Sequence, residues 1–119
     1  MEVEEIMKYN QYQEVMNNTK WEEIREAMLD SPNGHQWRSK SIEKGYIYPW
    51  DGDWFYHLKI DGRVDSYKTI EWLEIKAETE EMRKEVLEIL KSIHVPGEVL
   101  DNAIRVYGYV EVGKPVDYL

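Results

Sequence analysis

Cysteine is absent from the 119 residues of this chain. Its absence excludes disulfide bonds, zinc sites built from thiolates and a cysteine nucleophile, and it fits a protein that works in a reducing compartment. Long hydrophobic runs are also absent, because no uncharged stretch approaches the roughly 18 residues that a membrane-spanning helix needs. The N-terminus reads MEVEEI, which lacks the basic and then apolar order of a signal peptide. The sequence therefore predicts a cytoplasmic protein that does not associate with a membrane.

Positive charge is scarce. The chain has 15 lysine and arginine residues against 24 aspartate and glutamate residues, which gives a formal net charge of −9 at pH 7. Proteins that bind nucleic acids neutralise phosphates with clustered cationic side chains, so this charge balance disfavours nucleic-acid binding. An acidic surface attracts a basic partner over long range, although it also serves simply to keep a domain soluble.

Familiar catalytic and phosphate-binding motifs are missing as well. The sequence has no G-x-S-x-G elbow, no P-loop and no dinucleotide-binding glycine pattern. His35, His57 and His94 stand far apart, at none of the spacings typical of metal ligands. The stretch from Asp51 to Asp53 is too short for a calcium loop, which needs many more oxygen ligands, and we interpret it as a turn. We therefore expect no cofactor, no metal site and no catalytic residue.

Two helices are predicted by their caps and their apolar spacing. Apolar residues make up 42% of the sequence, which is enough for one packed domain of this length. Thr19 followed by Glu22 forms a capping box and predicts a helix over residues 20–30. A second helix is predicted to begin after a Thr79 cap, since apolar residues there recur at helical spacing. Its apolar face consists of Met82, Val86, Ile89, Leu90 and Ile93.

The middle of the chain changes to a period of two, punctuated by glycine-containing turns, which is typical of β-strands. Strands are predicted over residues 37–42, 46–50, 54–60, 69–76 and 104–110. A run of strands, then a long helix and a further strand, indicates the α+β class. We expect a mostly antiparallel β-sheet of about five strands with the two helices packed on one face.

Several stretches resemble a family of short uncharacterised bacterial proteins: MNNTKWEEIREAM (16–28), QWRSK (36–40), GYI (45–47), WDGDWFYH (50–57) and IEWLEI (70–75). The resemblance covers roughly residues 16–110 and implies a shared α+β fold without assigning any catalytic residue. Residues 1–15 fall outside it, and we interpret them as an N-terminal extension that is helical or frayed. Residues 16–119 then form a single domain. In size and acidity the chain is also loosely similar to the immunity proteins that neutralise bacterial toxins.

Residues 46–58, YIYPWDGDWFYHL, carry an unusual concentration of aromatic side chains. A hairpin turning at Asp51 to Asp53 would set Trp50 opposite Trp54 and Tyr48 opposite Tyr56 on one face. Such pairs stabilise a sheet by about 0.2–1 kcal/mol each, so the stripe could belong to the core. The chain has only one phenylalanine, and tyrosine and tryptophan are the aromatic residues typical of interfaces. We predict that the Trp50/Trp54 tip stays partly exposed, since a proline within a strand indicates an edge.

The leading functional hypothesis is a non-enzymatic acidic binding protein of the immunity or antitoxin kind, which neutralises a basic toxin by occluding it. Its predicted partner-binding residues are Tyr48, Trp50, Asp51, Asp53, Trp54 and Tyr56, together with Glu81, Glu85 and Glu88 on one face of the second helix. The alternative is a small-ligand-binding domain or an unrecognised small enzyme that uses His57 and nearby carboxylates. A third hypothesis is self-association through an exposed edge strand.

Overall fold

The computed structural model of the protein describes residues 11–31, 33–55, 57–58 and 66–119. Two α-helices and six strands lie in these parts of the chain. In chain order they are β1 (Tyr12–Glu14), α1 (Asn18–Asp30), β2 (Trp37–Ser41), β3 (Ile70–Lys76), α2 (Glu80–Ile93), β4 (Gly97–Val99), β5 (Ala103–Tyr107) and β6 (Tyr109–Glu111), with a short 3-10 helix at Ser66–Thr69 before β3. The predicted α+β class is confirmed.

Helix α1 begins one residue earlier than its predicted cap. The side chain of Asn17, and not that of Thr19, accepts a hydrogen bond from the backbone N–H of Lys20 at 2.8 Å. The predicted Thr19 cap is therefore wrong, because Asn17 precedes it with an equally suitable acceptor. The helix buries Trp21, Ile24 and Met28 against the rest of the protein.

Helix α2 follows its predicted pattern. The Thr79 side chain accepts a hydrogen bond from the backbone N–H of Met82 at 3.1 Å and caps the helix. Val86 and Leu90 are completely buried, and the other predicted apolar positions pack against the core. The helix ends at Ile93, and its C-cap residue His94 has a left-handed backbone with φ 65°.

The main sheet has four antiparallel strands in the order β2-β3-β5-β4. Leu73 and Ile75 of β3 and Ile104 and Val106 of β5 join the apolar residues of both helices in one core. Side chains alternate between the faces of a strand, so the intervening positions of β3 and β5 lie on the opposite face. That face carries charged and aromatic side chains. The helices therefore cover one side of the sheet and leave a polar side.

A second, two-stranded sheet pairs β1 with β6 in antiparallel fashion. Its strand β1 lies within residues 1–15, of which residues 1–10 fall outside the described part of the chain. The predicted strand over 104–110 is interrupted at Gly108, where the chain passes from β5 to β6. The backbone N–H of Gly108 donates to the Glu71 carbonyl at 2.8 Å, and its carbonyl accepts from Val15 at 2.9 Å. Gly108 thus links the two sheets.

The predicted strands over 46–50 and 54–60 are not formed in the described residues. Residues 46–51 run beside β2 through isolated bridges, Lys40 to Ile47 and Trp37 to Asp51. The register changes by one residue between these bridges, and Pro49, which has no N–H to donate, lies at the change. Residues 54 and 55 form a turn, and Tyr56 and residues 59–60 lie outside the described residues. The predicted pairing of Trp50 with Trp54 across a hairpin is therefore wrong.

Chain segments outside the ladder cover both edges of the main sheet. Residues 46–51 lie along β2, and the C-terminal residues lie along β4, where Gly97 donates to the Asp117 carbonyl at 3.0 Å. Leu119 donates to the Val95 carbonyl, also at 3.0 Å. As for membranes, the helices in the described part of the chain are all too short or too polar to span a bilayer.

Candidate functional site

The edge of the sheet beside β2 carries a cluster of exposed apolar side chains, which we call the aromatic edge and define as Tyr46, Ile47 and Tyr48. They are 55%, 46% and 39% exposed. The two tyrosine rings touch edge to face, with centroids 4.9 Å apart. Contiguous exposed apolar side chains can mark an interaction site, so this cluster is a candidate contact surface.

The backbone holds the aromatic edge firmly against β2. Tyr48 donates its N–H to the Ser39 carbonyl at 2.9 Å, and the Tyr46 carbonyl accepts from Ser41 at 2.9 Å. Further along, Asp51 and Trp37 exchange two backbone hydrogen bonds of 2.8 and 2.9 Å. A surface fixed in this way loses little conformational entropy when a partner binds.

The two tryptophans of the predicted tip have different environments. Trp54 is only 3% exposed, packs on Trp37 with ring centroids 5.8 Å apart, and donates its indole N–H to the His35 carbonyl at 2.7 Å. Trp50 is half-buried beneath the cations of Arg38 and Lys76, which lie 4.6 and 5.2 Å from its ring. The predicted partial exposure therefore holds for Trp50 and is wrong for Trp54, which belongs to the core.

Asp51, Asp53 and His57 form a polar clasp around the turn. The Asp51 carboxylate accepts the backbone N–H of Asp53 at 2.8 Å and faces His57 Nδ1 at 2.6 Å. The second ring nitrogen of His57 lies 3.6 Å from Asp53, whose carboxylate also accepts the backbone N–H of Phe55 at 2.8 Å. The hydrogen bond to Asp51 is the main cause that raises the pKa of His57 above its ordinary value of 6.5.

A pocket of about 230 Å³ opens beside this clasp. Its walls combine apolar side chains with hydroxyl groups: Trp37, Ser39, Lys40, Ser41, Tyr48, Pro49, Asp51, His57, Leu58, Thr69 and Ile70. The pocket could admit a small molecule, which is the geometry that the alternative hypothesis requires. Nδ1 of His57 is bonded to Asp51, whereas Nε2 lies 3.6 Å from Asp53, beyond hydrogen-bond distance. The bond to Asp51 ties His57 to the turn.

We predict that Asp51 governs the titration of His57. The raised pKa means that the clasp contributes its full stability below about pH 6.5 and loses it as the pH rises through the raised value. Asp51→Asn removes the hydrogen-bonded charge, so it is expected to lower the His57 pKa more than Asp53→Asn, which removes only a weaker charge interaction. NMR titration of the His57 ring protons in both variants measures this. An equal or larger effect of Asp53→Asn would contradict the assignment.

The three glutamates of α2 are not equivalent. Glu81 and Glu88 are exposed, whereas Glu85 is tied to the loop that follows α1. The Glu85 carboxylate accepts hydrogen bonds from Ser31 and Asn33 and lies 3.1 Å from Nε2 of the completely buried His35. The bond from Ser31 is the largest of the influences that lower the pKa of Glu85. Glu85 thus joins the two helices, and only Glu81 and Glu88 remain open to a partner.

A buried charge cluster on the polar side of the sheet escaped the sequence analysis. Glu74, only 1% exposed, lies between two arginines on neighbouring strands. Arg38 Nε donates to Oε1 at 2.9 Å, while Nε and Nη2 of Arg105 donate to Oε2 at 2.9 and 2.6 Å. Arg105 in turn stacks on Trp72 at 4.4 Å. A glutamate within the strand predicted over residues 69–76 was the available signal, since a buried carboxylate is normally paired with a cation.

In the part of the chain that the structure describes, no group of three or more histidine or acidic side chains converges as metal ligands would. The aromatic edge, the Asp51–His57 clasp and the pocket adjoin one another along β2. The exposed glutamates belong to a different element, α2. The predicted partner-binding residues that the structure describes thus come from two elements, the segment beside β2 and helix α2.

These features define a small α+β protein whose antiparallel sheet is covered on one side by two helices and bordered by an exposed aromatic segment. Within that class the chain belongs to DUF6678, a family of unknown function, whose sequence model matches residues 3–113. The match extends beyond residues 16–110 on both sides and confirms the resemblance to an uncharacterised family. Neither the curated proteins nor the solved structures contain a match to the chain.

Proposed function

We propose that the protein is a non-enzymatic binding protein of the immunity or antitoxin kind, which docks a basic protein on its aromatic edge. The observation that carries the proposal is the exposure of Tyr46, Ile47 and Tyr48 on a backbone that is already fixed by hydrogen bonds to β2. Tyrosine is enriched among the residues that dominate binding energy, because its ring buries a large area while its hydroxyl stays hydrated.

Charge complementarity supports a basic partner. The net charge of −9 favours the approach of a positively charged surface and repels acidic ones. Exposed Glu43 precedes the aromatic edge in the chain, and Asp51 follows it. Steering of this kind acts mainly on the association rate and weakens as salt is added. The apolar side chains then determine how long the complex lasts.

Occlusion is the mechanism that requires the fewest additional groups. A partner covering the aromatic edge would also cover the mouth of the neighbouring pocket, which Tyr48 lines. An immunity protein needs only to bind its toxin tightly and block the surface that the toxin uses. Size, acidity and a rigid apolar surface are consistent with that role.

The proposal is tested first by capture from a lysate of the source cells, followed by reconstitution with the purified partner. We expect a basic partner whose affinity falls at least about 30-fold, equivalent to about 2 kcal/mol, in the Tyr46→Ser, Tyr48→Ser variant. Leu29→Ser is the matched control, since Leu29 is 41% exposed on α1 and lies outside the proposed surface. Isothermal titration calorimetry at two salt concentrations measures both the affinity and its electrostatic part.

The immunity role is tested separately by growth. The partner alone should arrest growth, and co-expression of the parent protein, but not of the double serine variant, should relieve the arrest. An acidic partner, unchanged affinity in the double variant, or an equal loss in Leu29→Ser would overturn the proposed surface. A basic partner that binds as expected but does not arrest growth would support the proposed docking surface and overturn the immunity role.

A further inference from the structure

The pocket beside β2, with its volume of about 230 Å³, has largely apolar walls. Trp37, Leu58 and Ile70 line it, are each at most 6% exposed and also belong to the core. Tyr48 is a second aromatic residue in the wall. An apolar cavity of about 150 Å³ is large enough to hold benzene. The pocket therefore has room for a molecule with one aromatic ring and a small substituent.

The charged side chains of the wall are already paired with opposite charges. His57 Nδ1 lies 2.6 Å from Asp51, and the Lys40 ammonium lies 3.4 Å from Glu71. A charged ligand would give up its hydration and find each of these groups engaged with another counter-charge, which makes its transfer into the pocket costly. The wall therefore favours a neutral ligand.

Two polar groups of the wall remain available for hydrogen bonds. Ser39 is only 9% exposed, and its hydroxyl has no hydrogen-bond partner in the described part of the chain. Unlike the fully enclosed polar atoms of the protein, this hydroxyl can still be reached from the pocket. His57 Nε2 lies 3.6 Å from Asp53, beyond hydrogen-bond distance. Since buried polar groups are normally hydrogen-bonded, a carbonyl oxygen entering the pocket would gain a donor.

We propose that this pocket binds a neutral aromatic compound of one ring that carries a carbonyl group, such as an aryl amide. The ring would lie against Trp37, Leu58 and Ile70, and the carbonyl oxygen would accept hydrogen bonds from Ser39 and His57. The proposal goes beyond the docking function and does not rest on it, because the binding of a small molecule needs no protein partner.

Binding is tested with three probes that share one ring and differ in charge: benzamide, the benzoate ion and the benzylammonium ion. We expect benzamide to shift the backbone NMR signals of Ser39 and Ile70 and to bind at least about fivefold more tightly than either ion. Ser39→Ala should weaken benzamide binding by about fivefold, because the ligand loses a hydrogen-bond donor. Ser92→Ala is the matched control, since it removes an exposed hydroxyl on α2 that bonds to the Ile89 carbonyl at 2.7 Å.

A second variant covers the case in which Ser39→Ala does not fold. His57→Ala changes a side chain that is 61% exposed, and it should weaken benzamide binding several-fold in a folded protein. Circular dichroism establishes whether each variant is folded. Weaker binding in either folded pocket variant, with the affinity of Ser92→Ala unchanged, would support the site. Absence of benzamide binding, equal or tighter binding of either ion, or unchanged affinity in the folded pocket variants would overturn the proposal.

Discussion

Replacement of Arg38 and Arg105 by alanine together is expected to lower the free energy of unfolding by about 3–5 kcal/mol, because it strands the carboxylate of Glu74 in a buried position. Glu74 is 1% exposed and receives three hydrogen bonds from these two arginines. Each single variant leaves one cation in place and should lower the free energy of unfolding by less. Arg105→Ala should cost more than Arg38→Ala, since Arg105 supplies two of the three bonds.

A third substitution separates charge burial from simple loss of contacts. Adding Glu74→Met to the double alanine variant removes the stranded charge and puts an apolar side chain in its place, which is often neutral or stabilising relative to a buried ion pair. The triple variant should therefore be more stable than the double variant. Urea unfolding of the whole series measures the coupling. A triple variant no more stable than the double one would show that Glu74 is not held as a buried charge.

A matched control is available on the same strand. Lys76 lies over Trp50 and pairs only loosely with the exposed Glu78 at 3.9 Å. Lys76→Ala removes a cation from the same side of the sheet without touching Glu74. Its expected cost is below about 1 kcal/mol, as is usual for exposed ion pairs. If Lys76→Ala lost as much stability as the double arginine variant, the general loss of positive charge, and not the stranding of Glu74, would explain the destabilisation.

Gly108→Ala is expected to destabilise the protein by about 3 kcal/mol, because the added methyl group has no room. A Cβ atom built at this position would lie 2.1 Å from the carbonyl oxygen of Ile70, which belongs to the backbone and cannot rotate away. Relief of the clash would require the chain to move where Gly108 bonds to both Glu71 and Val15. Thermal and urea unfolding provide the measurement.

Gly52→Ala is the corresponding control. A Cβ at Gly52 would meet no atom within 4 Å, and the substitution restricts the unfolded chain. We expect the Gly52→Ala variant to be as stable as the parent protein or slightly more stable. If the free energy of unfolding of Gly108→Ala lay within about 0.5 kcal/mol of the parent value, the result would contradict the close approach of the Gly108 and Ile70 backbones.

The sequence predicted those elements whose signals are local. Helix α2 carries its cap at Thr79 and its apolar stripe within fifteen residues, and β3 has apolar side chains interspersed with charged ones over seven residues, so both were placed correctly. Strands β1 and β4 were missed because each has only three residues. A strand so short has no periodicity of its own and exists through its partner in the sheet.

Residues 46–58 show how local chemistry overrides a repeating pattern. Alternation predicted two strands, but Pro49 interrupts the ladder and the carboxylates of Asp51 and Asp53 turn the chain by bonding to backbone N–H groups two residues ahead. Trp54 then reaches the core next to Trp37 instead of facing Trp50. Which side chain of an aromatic cluster becomes buried depends on the course of the backbone through this turn, and composition does not reveal it.

Long-range polar pairing was the other part that sequence reasoning could not supply. Glu85 was predicted to contact a partner together with Glu81 and Glu88, yet it bonds to residues about fifty positions earlier in the chain. Glu71, which is 8% exposed and pairs with Lys40 of the neighbouring strand, is likewise understood only once the strands are assembled. With 24 acidic residues available, the sequence offers no means of choosing among them.

The covered edges of the main sheet restrict how a partner can be recognised. An open edge strand lets a foreign peptide extend the sheet through main-chain hydrogen bonds, and it also invites aggregation. Here β2 is already bonded to residues 46–51 and β4 to the C-terminal segment, so neither edge offers a free template. This disfavours self-association through the edges of the main sheet. On the proposed docking surface, recognition would therefore fall to side chains, and specificity would change through substitutions at Tyr46 to Tyr48 while the backbone framework stays the same.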